Sequence, residues 1–401
     1  MNTETTGQAV SLDPESLIAA ALTANQGLED FGDPRFRDGL DVLCTALDQE
    51  AGLSPNGRAL MRQKLVTQLG NRLRVEDYFQ RHPEIAQEEI AAPVVIAGLP
   101  RTGTTKLHRL LARDPRFWWM AFWESQFPVP LPGDTLANPS ARIAAGHAAC
   151  DAMTQAMPEL VAMHPMEADE PDEEVMLMEH SFLSAFNAYA DIPTYSAWLT
   201  RQDQTRVYEY LKRMLQFLQW QKRQRGLAAQ RWVLKAPHHL LRMDTLLRVF
   251  PGVQVVLTHR DPLQSIPSIA SFIHALWGIY SDDASASDAG HEWSDLMQRA
   301  LAHTMKVRET APAQFLDVRF EDTVKQPLAV VQRIYEFVGW PLTHDAEAAM
   351  RAWIEADNQR RQHEVRHRYT ADQFGLSAEQ ISRDFAVYRE RYILTPQAAT
   401  A

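Results

Sequence analysis

The chain has 401 residues, 45% of them hydrophobic and 23% charged, the composition of an ordinary globular protein with room for one large core and added helices, or for two domains. A formal net charge of -11 argues against general nucleic-acid binding, because counterion release needs clustered Lys and Arg; any anion site must be local. The two cysteines, Cys44 and Cys150, lie far apart in the sequence without CxxC or metal-ligand spacing, so neither a disulfide framework nor a metal site is indicated, and a reducing cytoplasm is the expected compartment.

The opening MNTETTGQAVSLDPESLIAAAL has no basic region before its short apolar run, which argues against a secretory signal. No stretch approaches the roughly 18 apolar residues of a transmembrane segment. Residues 1 to about 90 read as a helical N-terminal extension, with apolar positions three and four apart in SLIAAALT and GLDVLCTAL. After Pro93 the run VVIAG is short, β-branched and followed by a turn, the signature of a buried strand. From Gly103, TKLHRLLARD has helical spacing. A helix-rich stretch from about 135 to 228, broken by Pro158, Pro165, Pro171 and Pro193, reads as an insertion. Strands are then expected in 231–237, 253–262 and 313–322, each followed by a helix. This alternation predicts an α/β domain over 91–401 with a parallel sheet covered on both faces, whose ligands collect at the strands' carboxyl ends. Segment 281–291, SDDASASDAGH, is expected as an exposed loop, and the final PQAATA as disordered.

The run Gly98-Leu-Pro-Arg-Thr-Gly103-Thr-Thr has the GxxxxG spacing of a phosphate loop, yet Thr104 stands where an NTPase carries lysine. Backbone amides and a helix N-terminus remain to hold a phosphate, helped by the hydroxyls of Thr102, Thr104 and Thr105 and by Arg101 and Lys106. Without the cation that spans β- and γ-phosphates, the loop suits a 5'-phosphate with a short substituent better than a triphosphate. A P-loop-like three-layer α/β/α fold follows. PRTGTTKL resembles the 5'-phosphosulfate loop of sulfotransferases that use 3'-phosphoadenosine 5'-phosphosulfate (PAPS). Arg101 in place of the cytosolic branch's lysine is similar to bacterial members and to the tyrosylprotein branch.

In His259-Arg260-Asp-Pro-Leu-Gln-Ser265-Ile-Pro-Ser268 an arginine closes a strand and a serine follows eight residues later, so guanidinium and hydroxyl can converge on one phosphate. The resemblance implies that Arg260 and Ser268 hold the 3'-phosphate of PAPS, and that Arg366 and Arg368, in HEVRHRY, close over it. Sulfuryl transfer needs an in-line acceptor oxygen, a base, and cations over the bridging oxygen; it needs no metal. Arg101 and Lys235 are the candidate cations. Two residues compete for the base. Glu124 follows Arg101 by 23 residues, and its aromatic neighbours Trp118, Trp119, Phe122 and Trp123 are expected to raise its pKa. His238 precedes Arg260 by 22 residues, a spacing similar to that of the cytosolic branch's catalytic histidine.

The run Glu167 to Glu174 holds six carboxylates in eight residues and is expected as a solvated loop; at the site it would belong on the acceptor side. The aromatic stretch after it, 181–199, would line an acceptor pocket or pack the insertion. A small-molecule or lipid-like alcohol is the implied acceptor. The alternatives are a P-loop kinase or NTPase, which would expect GK[ST] and an acidic magnesium ligand, and a non-catalytic nucleotide-binding protein of the same fold.

Overall fold

The structure, a computed structural model, describes residues 10–163, 165–361 and 369–395. Three helices open the chain: α1 (Pro14–Ala24), α2 (Phe36–Gln49) and α3 (Pro55–Arg81). Asp13 accepts from the Ser16 N–H at 2.9 Å ahead of α1, and Ser54 from the Gly57 N–H at 3.0 Å ahead of α3. A proline follows each cap, where its missing N–H would have had no partner anyway.

Strand β1 (Val94–Gly98) leads into α4 (Thr104–Leu111), then a two-residue strand β2 (Phe117–Trp118) and α5 (Phe122–Gln126). Helices α6 (Ser140–Ala156), α7 (Pro158–Met163), α8 (Val175–Met178), α9 (Pro193–Thr200) and α10 (Thr205–Gln224) precede β3 (Arg231–Lys235). Next come α11 (Met243–Val249), β4 (Gln254–His259), α12 (Pro262–Tyr280), α13 (Ala286–Thr310) and β5 (Phe315–Arg319). The chain closes with α14 (Phe320–Lys325), α15 (Pro327–Val338), α16 (His344–Arg361), α17 (Ala378–Asp384), α18 (Ala386–Arg389) and a π-turn at Glu390–Leu394. No helix among the described residues is long and apolar enough to cross a membrane.

Two compact units result. One comprises the described residues through Pro83 with 178–203 and 273–285. Its core joins Leu17, Leu40, Leu65 and Leu69 to Phe182, Phe186 and Tyr195, so the aromatic stretch 181–199 packs against α1–α3. The helix-rich stretch 135–228 is thereby divided: 178–203 joins the N-terminal helices, because that is where its aromatic rings are buried.

The other unit holds the sheet. Its five strands run parallel in the order β2-β3-β1-β4-β5. Val94, Ile96, Val233 and Val256 pack on one face against Leu107 and Leu110 of α4 and Val330 and Ile334 of α15. Alternation sends Trp232 and Leu234 to the opposite face, where the indole N–H of Trp232 donates to Gln219 of α10 at 2.8 Å. Strand β2 is too short to carry a periodic signal and was not foreseen.

One loop expectation is corrected. Segment 281–291 is loop only to Ser285; Ala286 starts α13. Ala289 and Gly290 are small because they are buried: a Cβ on Gly290 would come within 2.1 Å of the Phe374 carbonyl oxygen. Small residues there serve close packing, while resembling turn composition. The final PQAATA lies outside the described residues.

Candidate active site

Strands β3, β1 and β4 are parallel neighbours, with Ile96 opposite Lys235 and Gly98 opposite Thr258. Their carboxyl ends therefore bring together the loop after β1, Lys235 and Arg260, which are remote in sequence. The loop turns sharply, with Arg101 at φ +68° and Gly103 at φ +84°, the second conformation being one that glycine adopts without strain. Thr104, Thr105 and Lys106 stand half-buried on the first turn of α4, whose backbone N–H groups have no intrahelical acceptor. Arg101 is exposed. The Thr102 hydroxyl differs from expectation: it is fully buried, donates to the Leu99 carbonyl at 2.6 Å and shares a 2.6 Å hydrogen bond with the Thr258 hydroxyl. That hydroxyl ties loop to β4 and is not offered to a ligand; only its backbone can be.

Arg260, at the end of β4, reaches back to the loop. Its Nη1 donates to the Arg101 carbonyl at 2.7 Å, its Nε to Gln264 Oε1 at 3.0 Å, and its guanidinium lies over the Phe320 ring at 4.1 Å. Burial lowers its pKa, and the nearby Arg101 charge adds to that shift while Tyr369 and Glu321 oppose it. Ser268 is buried one helical turn beyond Ser265, whose equally buried hydroxyl has no partner in the structure. Both serines sit near the start of α12, three apart and so on one face. Sequence reading singled out Ser268 and passed over Ser265.

The acidic run is not a solvated loop. Its backbone runs alongside residues 120–123: Phe122 N–H donates to the Glu170 carbonyl at 3.0 Å, Trp123 N–H to Ala168 at 3.2 Å, and Asp172 N–H to Met120 at 2.9 Å. Basic groups from distant segments meet its side chains. Glu167 pairs with Arg109 at 2.6 Å and Arg360 at 2.7 Å, and Glu170 with Arg113 at 2.6 Å. Glu173 pairs with the buried ammonium of Lys235. Glu174 Oε2 accepts from the Lys235 backbone N–H at 2.9 Å, and its Oε1 from His239 Nε2, whose Nδ1 accepts from the Tyr208 hydroxyl at 3.0 Å. The run thus forms a strap across the carboxyl end of β3.

A small cavity beneath this strap is lined by Thr105, Phe122, Glu167, Asp172 and Lys235. Asp172 accepts from the Ser125 hydroxyl. Burial pushes its carboxyl above the ordinary range; the Ser125 hydrogen bond and Lys235 oppose that shift while Glu173 adds to it. Sequence reading missed Asp172, because a lone aspartate inside a charge run carries no signal of its own.

Glu124 lies elsewhere in its chemistry. Its Oε2 accepts from Lys222 at 2.5 Å and from the Ala121 N–H at 3.0 Å, and its Oε1 from Arg225 at 2.8 Å. Burial alone would raise its pKa, but Lys222 and Arg225 together hold it below the usual value. The expected rise fails because cations accompany the aromatic rings: Arg142 and Arg225 lie 5.2 and 5.4 Å from the Trp123 ring, and Lys222 lies 5.6 Å from that of Trp119. His238 follows Lys235 closely in the chain, half-buried, with a buried Nδ1 that has no partner. Burial brings its pKa down to about 4, against the pull of Glu173, so the ring is neutral near pH 7. Arg366 and Arg368 lie outside the described residues. Among those described, no group of three or more His, Cys, Asp or Glu is placed to hold a metal ion.

Fold and site define an α/β protein in which a sharp loop leads from β1 into the N-terminus of α4, with a buried lysine–carboxylate pair at the end of the neighbouring strand. The chain belongs to the sulfotransferase family, whose sequence profile matches residues 93–345. It resembles the crystal structure of sulfotransferase STF1 from Mycobacterium tuberculosis H37Rv, with a TM-score of 0.81 and 31% identity over 95% of this chain and all of that one. It also resembles sulfotransferase STF9 from Mycobacterium avium, with a TM-score of 0.84 and 25% identity over 97% and 98% of the two chains. The omega-hydroxy-beta-dihydromenaquinone-9 sulfotransferase Stf3 of Mycobacterium bovis is 29% identical over 270 residues; the match spans 64% of this chain and 65% of Stf3.

Proposed function

We propose that this protein transfers the sulfuryl group of PAPS to the hydroxyl of a small-molecule or lipid-like acceptor, in the cytosol, where its free thiols Cys44 and Cys150 stay reduced. The observation that carries the reading is the convergence of the β1 loop, Lys235 and Arg260 at three adjacent strand ends, with threonine where a kinase or NTPase would place its phosphate-spanning lysine. The kinase reading has no comparable support. A lipid-like acceptor is favoured by the resemblance to Stf3, whose name specifies a hydroxylated dihydromenaquinone.

In this reading the amides of the loop and of the first turn of α4, with Thr104, Thr105 and Lys106, hold the 5'-phosphosulfate. Arg260 and Ser268 hold the 3'-phosphate, joined by Arg366 and Arg368. The acceptor oxygen bonds to sulfur as the bond from sulfur to the bridging phosphate oxygen breaks. Lys235 and Arg101 stabilise the charge that collects on the departing phosphate. Asp172 takes the acceptor's proton: it faces the same cavity as Lys235 and Thr105, and its pKa is shifted toward a value useful in a base. His238 is the second candidate, neutral and with an unpartnered nitrogen. Glu124, whose two oxygens are held by Lys222 and Arg225, is assigned to holding α5 and α10 together.

Incubation with radiolabelled PAPS and a panel of phenols, sterols and prenyl alcohols tests the reading. Label should appear in an alcohol with stoichiometric release of adenosine 3',5'-bisphosphate, and that product should raise the melting temperature. Protection by ATP with magnesium but not by adenosine 3',5'-bisphosphate would overturn it.

A further inference from the structure

Behind Arg260 lies a set of buried contacts that nothing in the proposed chemistry uses. His259, the last residue of β4, stacks on Tyr392 with ring centroids 4.2 Å apart and planes 7° from parallel. Its Nε2 donates to Asp317 Oδ1 of β5 at 3.0 Å, and its Nδ1 accepts from the Tyr388 hydroxyl at 2.9 Å. On the far side of Arg260, Asp261 receives both Nε and Nη2 of Arg389, at 2.9 and 3.1 Å. The two residues that flank Arg260 are therefore gripped by two consecutive residues of α18, and the π-turn that follows, an irregular helix form common at functional sites, sets Tyr392 against His259.

The pair is unlike a surface ion pair. The Arg389 and Asp261 side chains are 15% and 20% exposed, the two hydrogen bonds are parallel and charge-assisted, and Tyr388 is buried. Asp261 also accepts from the Leu263 N–H at 3.1 Å, as a helix cap would; the bidentate arginine has no part in capping.

We propose that Tyr388 and Arg389 are positioning residues for the 3'-phosphate site: the C-terminal helix fixes the backbone on which Arg260 stands. The inference rests on the reading that Arg260 receives the 3'-phosphate. It assigns the C-terminal segment a part in telling a 3'-phosphorylated nucleotide from its unphosphorylated counterpart.

Calorimetric titration of the full-length protein with adenosine 3',5'-bisphosphate and with 5'-AMP tests this. Wild-type protein should prefer the bisphosphate. Arg389→Ala should weaken the bisphosphate about tenfold, as expected for coupled neighbours, and leave 5'-AMP unchanged; Arg389→Lys should recover part of the loss. Tyr388→Phe, which removes one oxygen atom and spares the packing, should act in the same direction should Arg389→Ala fail to fold. Equal weakening of both ligands, or none, would overturn the inference while leaving the donor assignment standing. Absence of any preference in the wild-type protein would instead remove the donor assignment, and the inference with it.

Discussion

Lys222 Nζ donates to Glu124 Oε2 at 2.5 Å across 98 residues of chain, and both groups are buried. Arg225, three residues further on at the C-terminal cap of α10, takes the other carboxylate oxygen at 2.8 Å. Two cations lower the proton affinity of this buried glutamate, which works against the proton gain that a general base must make.

Glu124→Gln should therefore act on stability. Removing one member of a buried ion pair costs about 3–5 kcal/mol, because the remaining charges stay buried without compensation. Urea unfolding should show that loss, while kcat per folded molecule stays close to wild type. A stable but inactive Glu124→Gln protein would return the base role to Glu124.

Asp172→Asn should leave the fold intact and lower kcat by roughly 10²- to 10⁴-fold, the usual contribution of a positioned base, with little change in KM for PAPS. Because burial raises this carboxyl above 3.8, the acidic limb of the kcat profile should fall above that value. Loss of the limb in a residually active Asp172→Asn protein identifies the group; an unchanged limb assigns it to another.

His238 gives a separate pH signature, in stability. Its pKa is about 4 in the folded protein against an ordinary 6.5, so between those values the unfolded chain binds a proton that the folded one does not. Stability then declines as pH falls from about 6.5 toward 4. His238→Gln should flatten that part of the melting-temperature profile. The profile above pH 7 should be unaffected.

What was legible in the sequence was what is local. The strand, the GxxxxG turn and the helix after it occupy 18 consecutive residues, and the period of each is visible without knowing any partner. Arg260 and Ser268 were found because strand end and helix start lie side by side. The acidic run was misread because composition cannot say that Arg113, Lys235, His239 and Arg360, scattered over 248 positions, come to meet it. The expected rise in the Glu124 pKa fails for the same reason: its aromatic neighbours are adjacent in sequence, and its cations are not. Parallel sheets make this general, since each strand end is completed by residues a whole crossover away.

Donor binding should separate from chemistry. Arg260→Ala should weaken adenosine 3',5'-bisphosphate strongly, by removing a charge-assisted contact worth about 1.5–3 kcal/mol, and Ser268→Ala by less. With saturating PAPS, kcat should be largely restored in both. A kcat that stays low at saturation would mean that Arg260 also shapes the loop, through its hydrogen bond to the Arg101 carbonyl.

Gly98, the last residue of β1, marks where loop and sheet are pressed together. A Cβ there would lie 2.0 Å from Thr258 Oγ1 and 2.9 Å from Thr102 Oγ1, the two hydroxyls that tie the loop to β4. Thr258 is buried and β-branched, so its side chain has few alternative rotamers and little room to yield. Gly98→Ala should cost about 1–3 kcal/mol through overpacking and displace the loop, weakening nucleotide binding as well. Thr258→Ala removes the nearest obstacle together with the contacts of its hydroxyl to the Thr102 hydroxyl and the Ala97 carbonyl. The double variant should then lose less stability than the sum of the two single ones, measurable as a favourable coupling in a double-mutant cycle. Simple additivity would mean that the loop yields by another route, and that the Thr102–Thr258 tie does not set its position.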